Sequence, residues 1–142
     1  MTPIIITGHG KFATSMKETI KYIMGEQQNI YFVDFDNGMG NKELEEKLCD
    51  ILSKLDSDEV LFLTDIAGGT PFSTAVLLSE NNPKYRIYSG CNMPMIISAI
   101  ELAEEDDIVS IDRDILCYAK EGIVLFESKK EEIDIIIEED GI

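Results

Sequence analysis

The chain has 142 residues, 44% of them hydrophobic, and a formal net charge of −16 from 12 basic and 28 acidic side chains. This length fits one domain with its own core, and the acidic balance argues against nucleic acids and anionic membrane surfaces as partners. Its apolar runs are far shorter than the roughly 20 residues of a membrane-spanning helix. The N-terminus lacks the basic and long apolar regions of a signal peptide, so we expect a cytoplasmic protein without direct membrane insertion.

Short apolar runs alternate with amphipathic stretches along most of the chain. In chain order the pattern predicts a strand at 4–6, a helix over 12–23 ended by Gly25, a strand at 30–35, a helix from 41 to 55 with Asn41 as its cap, a strand at 60–64, a helix over 71–80, a strand at 86–89, and helices over 94–103 and 112–120. Four such β–α units predict an α/β fold, a doubly wound and mostly parallel four-stranded sheet flanked by helices.

The C-terminal part follows a different pattern. Residues 123–126 and 133–137 are strand-like, and an acidic tail begins at about residue 129. A strand here could pair with the sheet edge of its own subunit or of another. No linker or composition break divides the chain, so 1–142 is predicted to be a single domain.

Polar and glycine residues follow each predicted strand, at 8–10, 34–37, 64–70 and 90–92. The carboxyl ends of parallel strands meet at one edge of a sheet, where ligands bind. His9, the only histidine, lies there between Gly8 and Gly10, and Asp65 follows the third strand. A carboxylate bonded to one ring nitrogen fixes the tautomer and leaves the other nitrogen as a nucleophile.

The surroundings of His9 suit an anion. The flanking glycines are expected to leave room for a reactant, and the following helix begins with free N–H groups. Gly68, Gly69 and Thr70 add backbone donors and a hydroxyl of the kind that holds a phosphate-sized oxyanion.

Each signal also has a structural interpretation. A lone histidine is often a core or surface residue, Asp65 could cap the next helix, and the glycine pair could be only a turn. The pattern does not distinguish phosphorylation from hydrolysis or metal binding. The sequence contains neither GxxxxGK[ST] nor GxGxxG, and its three cysteines have no zinc-site spacing, so no cofactor and no metal are predicted.

Longer motifs resemble a known family. They are I-I-I-T-G-H-G-K-F-A at 4–13, M-G-E-Q at 24–27, V-D-F at 33–35, L-F-L-T-D-I-A-G-G-T-P-F at 61–72 and S-G-C-N-M-P-M at 89–95. Through these motifs the chain resembles the IIA component of the mannose-type sugar phosphotransferase system (PTS). The residues of the motifs are most similar to those of the N-acetylgalactosamine or galactosamine branch. Where many members carry an aromatic residue, this chain has Ala67.

The resemblance implies a histidine phosphocarrier, a phosphotransferase with His9 and Asp65 as catalytic residues. His9 would accept a phosphoryl group from phospho-HPr and pass it to the IIB component, which serves the membrane IIC/IID permease. Gly10, Gly68, Gly69 and Thr70 would hold the phosphate. The resemblance also implies a homodimer that exchanges a C-terminal antiparallel strand, for which residues 122–128 are the candidate.

Three alternatives remain. The first is a phosphotransfer subunit of a dihydroxyacetone kinase system, which shares the fold and the histidine. The second is a receiver-like domain phosphorylated on Asp65, which would require an acidic pair after the first strand to hold Mg²⁺, where this chain has Gly8 and His9. The third is a binding module without chemistry.

Overall fold

A computed structural model describes residues 1–105 and 108–128 of the chain. Within these residues the strands are β1 (Ile4–His9), β2 (Ile30–Phe35), β3 (Val60–Thr64) and β4 (Tyr85–Tyr88), and the helices are α1 (Phe12–Met24), α2 (Asn41–Lys54), α3 (Thr70–Ser79), α4 (Met93–Leu102) and α5 (Ile108–Glu121). The four strands are parallel and lie in the order β2-β1-β3-β4. The predicted α/β fold with a parallel four-stranded sheet is confirmed.

Both faces of the sheet are covered by helices. Alternate residues of β1 point to opposite sides, so Ile4 and Ile6 pack with α1, α4 and α5, whereas Ile5 packs with α2 and α3. All five residues of β3 are buried. The continuous apolar runs seen in the sequence are therefore the two-sided burial expected of parallel strands.

Element boundaries differ from the sequence prediction where tertiary contacts decide them. β1 extends to His9 because Gly8 and His9 pair with residues of β2. The N-cap of α2 is Gly40 in extended conformation, and the predicted cap Asn41 is the first helical residue. α5 begins at Ile108, four residues before the predicted start. None of the helices within 1–105 and 108–128 is long and apolar enough to cross a membrane.

The chain turns away from α5 at Gly122, which packs closely against Pro94. A Cβ atom on Gly122 would lie 2.4 Å from Cγ of Pro94, so only glycine allows α5 to end against the start of α4. The predicted strand at 122–128 pairs with no strand among the described residues. The strand predicted at 133–137 and the acidic tail from 129 lie outside the described residues.

Candidate active site

The order of the strands places His9 beside the ends of both neighbouring strands. β1 lies between β2 and β3, and His9 is its last residue. Asp65 follows β3 directly, and the register pairs His9 with Phe35 of β2. The imidazole is 44% exposed, whereas the Asp65 carboxylate is only 13% exposed. The structure thus brings the two predicted catalytic residues together at the carboxyl edge of the sheet.

The Asp65 carboxylate is the hydrogen-bond acceptor that orients His9. Its Oδ2 atom lies 2.7 Å from Nδ1 of His9 and also accepts the backbone N–H of His9 at 2.9 Å. Its Oδ1 atom accepts the N–H of Ile66 at 2.9 Å. When Nδ1 of a neutral imidazole donates to the carboxylate, the lone pair lies on Nε2, which leaves that nitrogen available as a nucleophile.

The ionisation of Asp65 matches this role. Burial raises its pKa and is the largest single influence, but the hydrogen bonds from His9 and Ile66, together with the charge of His9, outweigh it. The net effect holds the pKa of Asp65 below its usual range, so the carboxylate is ionised at neutral pH. Asp65 does not cap α3, whose N-cap is Gly69.

Gly69 provides the space that the imidazole occupies. A Cβ atom at this position would lie 2.6 Å from Cε1 and 3.3 Å from Nε2 of His9. The edge of the ring formed by Cε1 and Nε2 therefore faces the N-terminus of α3. The first N–H groups of a helix have no acceptor within it, and Pro71 has no N–H, so Gly69, Thr70 and Phe72 supply the donors at this end. Such a helix end is suited to an anion.

The glycines that flank His9 have other roles than the predicted one. A Cβ atom on Gly8 would lie 2.5 Å from the ring of Phe12, so Gly8 makes room for the core side chain of α1. Gly10 has a φ of 60°, and its N–H donates to the carbonyl of Phe35 at 2.8 Å. This bond occupies the Gly10 N–H and forms the turn into α1, while the contact of Gly10 with phosphate stays a prediction.

Three of the predicted phosphate-binding residues are consecutive, at the junction between the β3–α3 loop and α3. Gly68, with a φ of 79°, makes the turn that leads into α3, and Thr70 is the first residue of that helix. Gly69, which lies between them, is the residue that the geometry places against the Cε1–Nε2 edge of the ring.

Two acidic residues at the carboxyl end of β2 hold the start of α1. Asp34 accepts the backbone N–H of Thr14 at 3.0 Å and its hydroxyl at 2.6 Å. Asp36 pairs with the ammonium of Lys11 at 2.9 Å. They therefore fix the helix that follows His9 and do not contact the imidazole.

The loop after β4 has a structural role. Burial, followed by the charge of Asp65, raises the pKa of Cys91 to about 12, so its thiol is protonated at neutral pH. Its backbone N–H donates to Thr64 at 3.0 Å, and the side chain of Asn92 caps α4 by accepting the N–H of Met95 at 3.0 Å.

Phe35 is a neighbour of His9 that the sequence did not assign to the site. The centroids of the two rings are 5.8 Å apart and the planes meet at 74°, which is an edge-to-face arrangement. The available signal was an aromatic residue at the carboxyl end of a strand next to the histidine strand. The sequence does not give the order of the strands, and it is this order that brings Phe35 next to His9.

Comparisons with known proteins identify the family to which the chain is similar. A family model described as the PTS system fructose IIA component matches residues 3–115. The chain is 36% identical over 105 residues to the PTS system fructose-specific EIIA component of Bacillus subtilis, with 73% of this chain and 72% of that protein covered. It is also 36% identical over 105 residues to the mannose-specific EIIAB component of Escherichia coli K12, with 73% of this chain but only 32% of that relative covered.

The fold of the chain is also similar to that of solved structures. The crystal structure of phosphotransferase system component EIIA from Streptococcus agalactiae aligns with a TM-score of 0.81 at 29% identity, covering 87% of this chain and 96% of that one. Sequence, fold and the match over 3–115 lead to one conclusion: the chain belongs to the mannose-type family of IIA components of the sugar phosphotransferase system.

Proposed function

We propose that Nε2 of His9 accepts a phosphoryl group from phospho-HPr and passes it to a IIB component, which serves a membrane IIC/IID permease. One observation carries the proposal: Asp65 holds Nδ1 while Nε2 faces the N-terminus of α3 across Gly69. A nucleophilic nitrogen is thus placed against an anion-binding helix end.

The proposed transfer needs no redox or metal chemistry. The Nε2 lone pair attacks phosphorus and forms a new N–P bond, while the N–P bond of the donor breaks and its electron pair returns to the donor imidazole. The Nδ1 proton stays in place, and the Asp65 carboxylate stabilises the positive charge of the phosphorylated ring. Transfer to IIB reverses these roles on a similar bond, so alignment and electrostatics are the main demands on the protein.

The donors for the phosphoryl oxygens are proposed on α3. Gly69 and Thr70 begin the helix end that faces the imidazole, and their backbone N–H groups, with the N–H of Gly68 and the Thr70 hydroxyl, are the proposed donors. Preorganised donors of this kind stabilise charge without rearranging during the reaction. Gly10 contributes the turn after His9, because its N–H bonds to the carbonyl of Phe35.

Two proteins must reach the same nitrogen in turn, and the site is open enough for this. The imidazole is 44% exposed, and the neighbouring Ile66 is 58% exposed. Ala67 beside it is exposed as well. Ile66 therefore offers an apolar contact next to the reacting atom.

The exposed segment after α5 supports the proposed homodimer. Its four apolar side chains at 123–126, here named the C-terminal arm, are 68–81% exposed: Ile123, Val124, Leu125 and Phe126. Within the described part of the chain β4 is an edge strand, and a groove of about 630 Å³ runs beside it. Apolar residues of β4 and its neighbouring helices line this groove: Phe72, Val76, Tyr85, Ile87 and Leu116. We propose that the segment 122–128 of a second copy pairs antiparallel with β4 and buries its arm there.

The alternatives fit less well. The similar proteins are named as fructose- and mannose-specific PTS components, which favours sugar uptake over a dihydroxyacetone kinase subunit. In a receiver-like domain Asp65 would be the nucleophile, but hydrogen bonds engage both of its carboxylate oxygens. The galactosamine branch and the cytoplasmic location remain predictions from the sequence.

A labelling experiment tests the phosphocarrier role. The protein is incubated with radiolabelled phosphoenolpyruvate, enzyme I and HPr, and the stability of the label is measured. We expect an acid-labile, hydroxylamine-resistant label that is lost in His9→Ala. A hydroxylamine-sensitive label that survives His9→Ala would move the phosphoacceptor to Asp65, and an unlabelled wild-type protein would overturn the proposal.

The same assay tests Asp65. Asp65→Asn keeps the shape of the side chain but removes its charge, so we expect slower labelling with an unchanged circular dichroism spectrum. An unchanged labelling rate would show that Asp65 does not stabilise the phosphorylated ring.

A further inference from the structure

The His9 imidazole has two packing neighbours besides Asp65. One is the backbone of Gly69, where a Cβ atom would come within 2.6 Å of Cε1. The other is the ring of Phe35, 5.8 Å away between centroids in an edge-to-face contact. The Asp65 carboxylate holds Nδ1 at 2.7 Å. The ring is therefore bounded by one hydrogen bond and two packing contacts.

The position of Phe35 is fixed by strand pairing and by a backbone hydrogen bond. The β1–β2 register places Phe35 opposite His9, and the Phe35 carbonyl accepts the N–H of Gly10 at 2.8 Å. Its side chain packs against the buried cluster between the sheet and α2, on the same side of β2 as Tyr31 and Val33. Residues on strands hold a site more rigidly than residues on loops.

The hydrogen bond from Nδ1 of His9 to Asp65 limits the plane of the imidazole but does not lock it. The terminal torsion of histidine is broad and roughly two-fold, so the ring can rotate while its position changes little. Such a rotation would carry Nε2 away from the N-terminus of α3. The contacts with Gly69 and Phe35 restrict this rotation.

We propose that Phe35 is a positioning residue that holds the plane of the His9 imidazole, so that Nε2 stays aligned with the donors of α3. The inference rests on the proposed phosphocarrier function for its kinetic consequence. Its structural part, the restraint on the ring, can be measured without any phosphate donor.

The sole histidine makes the test direct. In ¹⁵N-labelled protein all imidazole signals come from His9, so ring tautomer and ring motion are read without assignment. We expect Phe35→Ala to broaden these signals or average the two tautomers, and Phe35→Tyr to retain the wild-type pattern. Phosphoryl transfer from HPr should fall about tenfold or more in Phe35→Ala, because small misplacements of reacting groups cost one to two orders of magnitude in rate.

Tyr31→Ala is the matched control. Tyr31 is a partly buried aromatic residue on the same side of the same strand, packed against the same cluster but paired with Ile5 at the opposite end of β1. We expect it to lower thermal stability as Phe35→Ala does while leaving the His9 signals and the transfer rate close to wild type. Phe35→Leu keeps apolar volume and provides a folded variant if Phe35→Ala unfolds.

Two results would overturn the inference. One is a wild-type ring spectrum in folded Phe35→Leu or Phe35→Ala, and the other is an equal loss of transfer in Tyr31→Ala. If the wild-type protein takes no label, the proposed function fails, whereas the spectra still decide whether Phe35 restrains the ring.

Discussion

At the scale of single residues, the site depends on one close approach between a glycine and the histidine. Gly69 has an ordinary extended backbone, with φ of −75° and ψ of 168°. It is required for space and not for conformation, since a Cβ atom would lie 2.6 Å from the imidazole. The glycines beside His9 in sequence serve Phe12 and the turn into α1 instead.

Gly69→Ala should separate function from folding. Alanine is compatible with this backbone, and the entropy it removes from the unfolded chain offsets its weaker preference for an N-cap position, so we expect thermal stability close to that of the wild type. The added methyl group must displace the imidazole, and labelling by HPr should fall at least about tenfold.

Gly40→Ala is the control for this substitution. Gly40 is the N-cap of α2 with nearly the same backbone angles, φ of −83° and ψ of 161°, and open space at the Cβ position. This variant should show the same small change in thermal stability and keep the wild-type labelling rate. A wild-type rate in Gly69→Ala would contradict the assigned position of the ring.

At the scale of elements, the end of α5 sets where the C-terminal arm begins. The side-chain amide of Asn92 donates to the carbonyl of Ala119 at 2.9 Å, and Gly122 packs against Pro94. These contacts tie the last turn of α5 to the first turn of α4. The arm therefore leaves from a fixed point, which favours its exchange with a second copy over collapse onto its own helix.

Phe126→Asp tests the arm. Phe126 is 68% exposed in the single chain, so burial beside β4 of a second copy would explain its apolar side chain. We expect the aspartate variant to be monomeric by sedimentation equilibrium while the wild-type protein is a dimer. Tyr22→Asp, at an even more exposed aromatic residue of α1, should remain dimeric. A monomeric wild-type protein, or a dimeric Phe126→Asp, would contradict the exchange.

At the scale of the whole molecule, the net charge of −16 creates a field that extends beyond any single contact. Such a field speeds the approach of a partner with a cationic face, and salt screens it over roughly 10 Å at 0.1 M. Carboxylates lie near the site as well, since Asp34 pairs with Gly8 in the sheet and Asp36 follows β2 directly. A phosphoryl donor with basic residues around its own histidine would suit this surface.

Added salt should therefore slow labelling by HPr. We expect the second-order rate to fall several-fold between about 50 mM and 500 mM sodium chloride, because screening removes the electrostatic part of association. Thermal denaturation at both concentrations checks that the fold is unchanged. A rate that does not depend on salt would show that apolar contacts such as Ile66 dominate docking.

The sequence by itself determined the fold class and predicted that His9 and Asp65 are neighbours. Apolar runs of strand length between amphipathic helices admit few arrangements, because each must be buried and parallel strands need helical crossovers. The carboxyl ends of such strands converge, which made His9 and Asp65 predictable as neighbours. The predicted strands at 30–35 and 60–64 agree with the structure to the residue.

Tertiary structure alone decided how the site is assembled. The order β2-β1-β3-β4 places Phe35 beside His9 and lets the Phe35 carbonyl take the Gly10 amide. It also brings the start of α3 close enough that position 69 must be glycine. These contacts join residues distant in the chain, and their geometry depends on strand register and helix approach, which local periodicity does not encode.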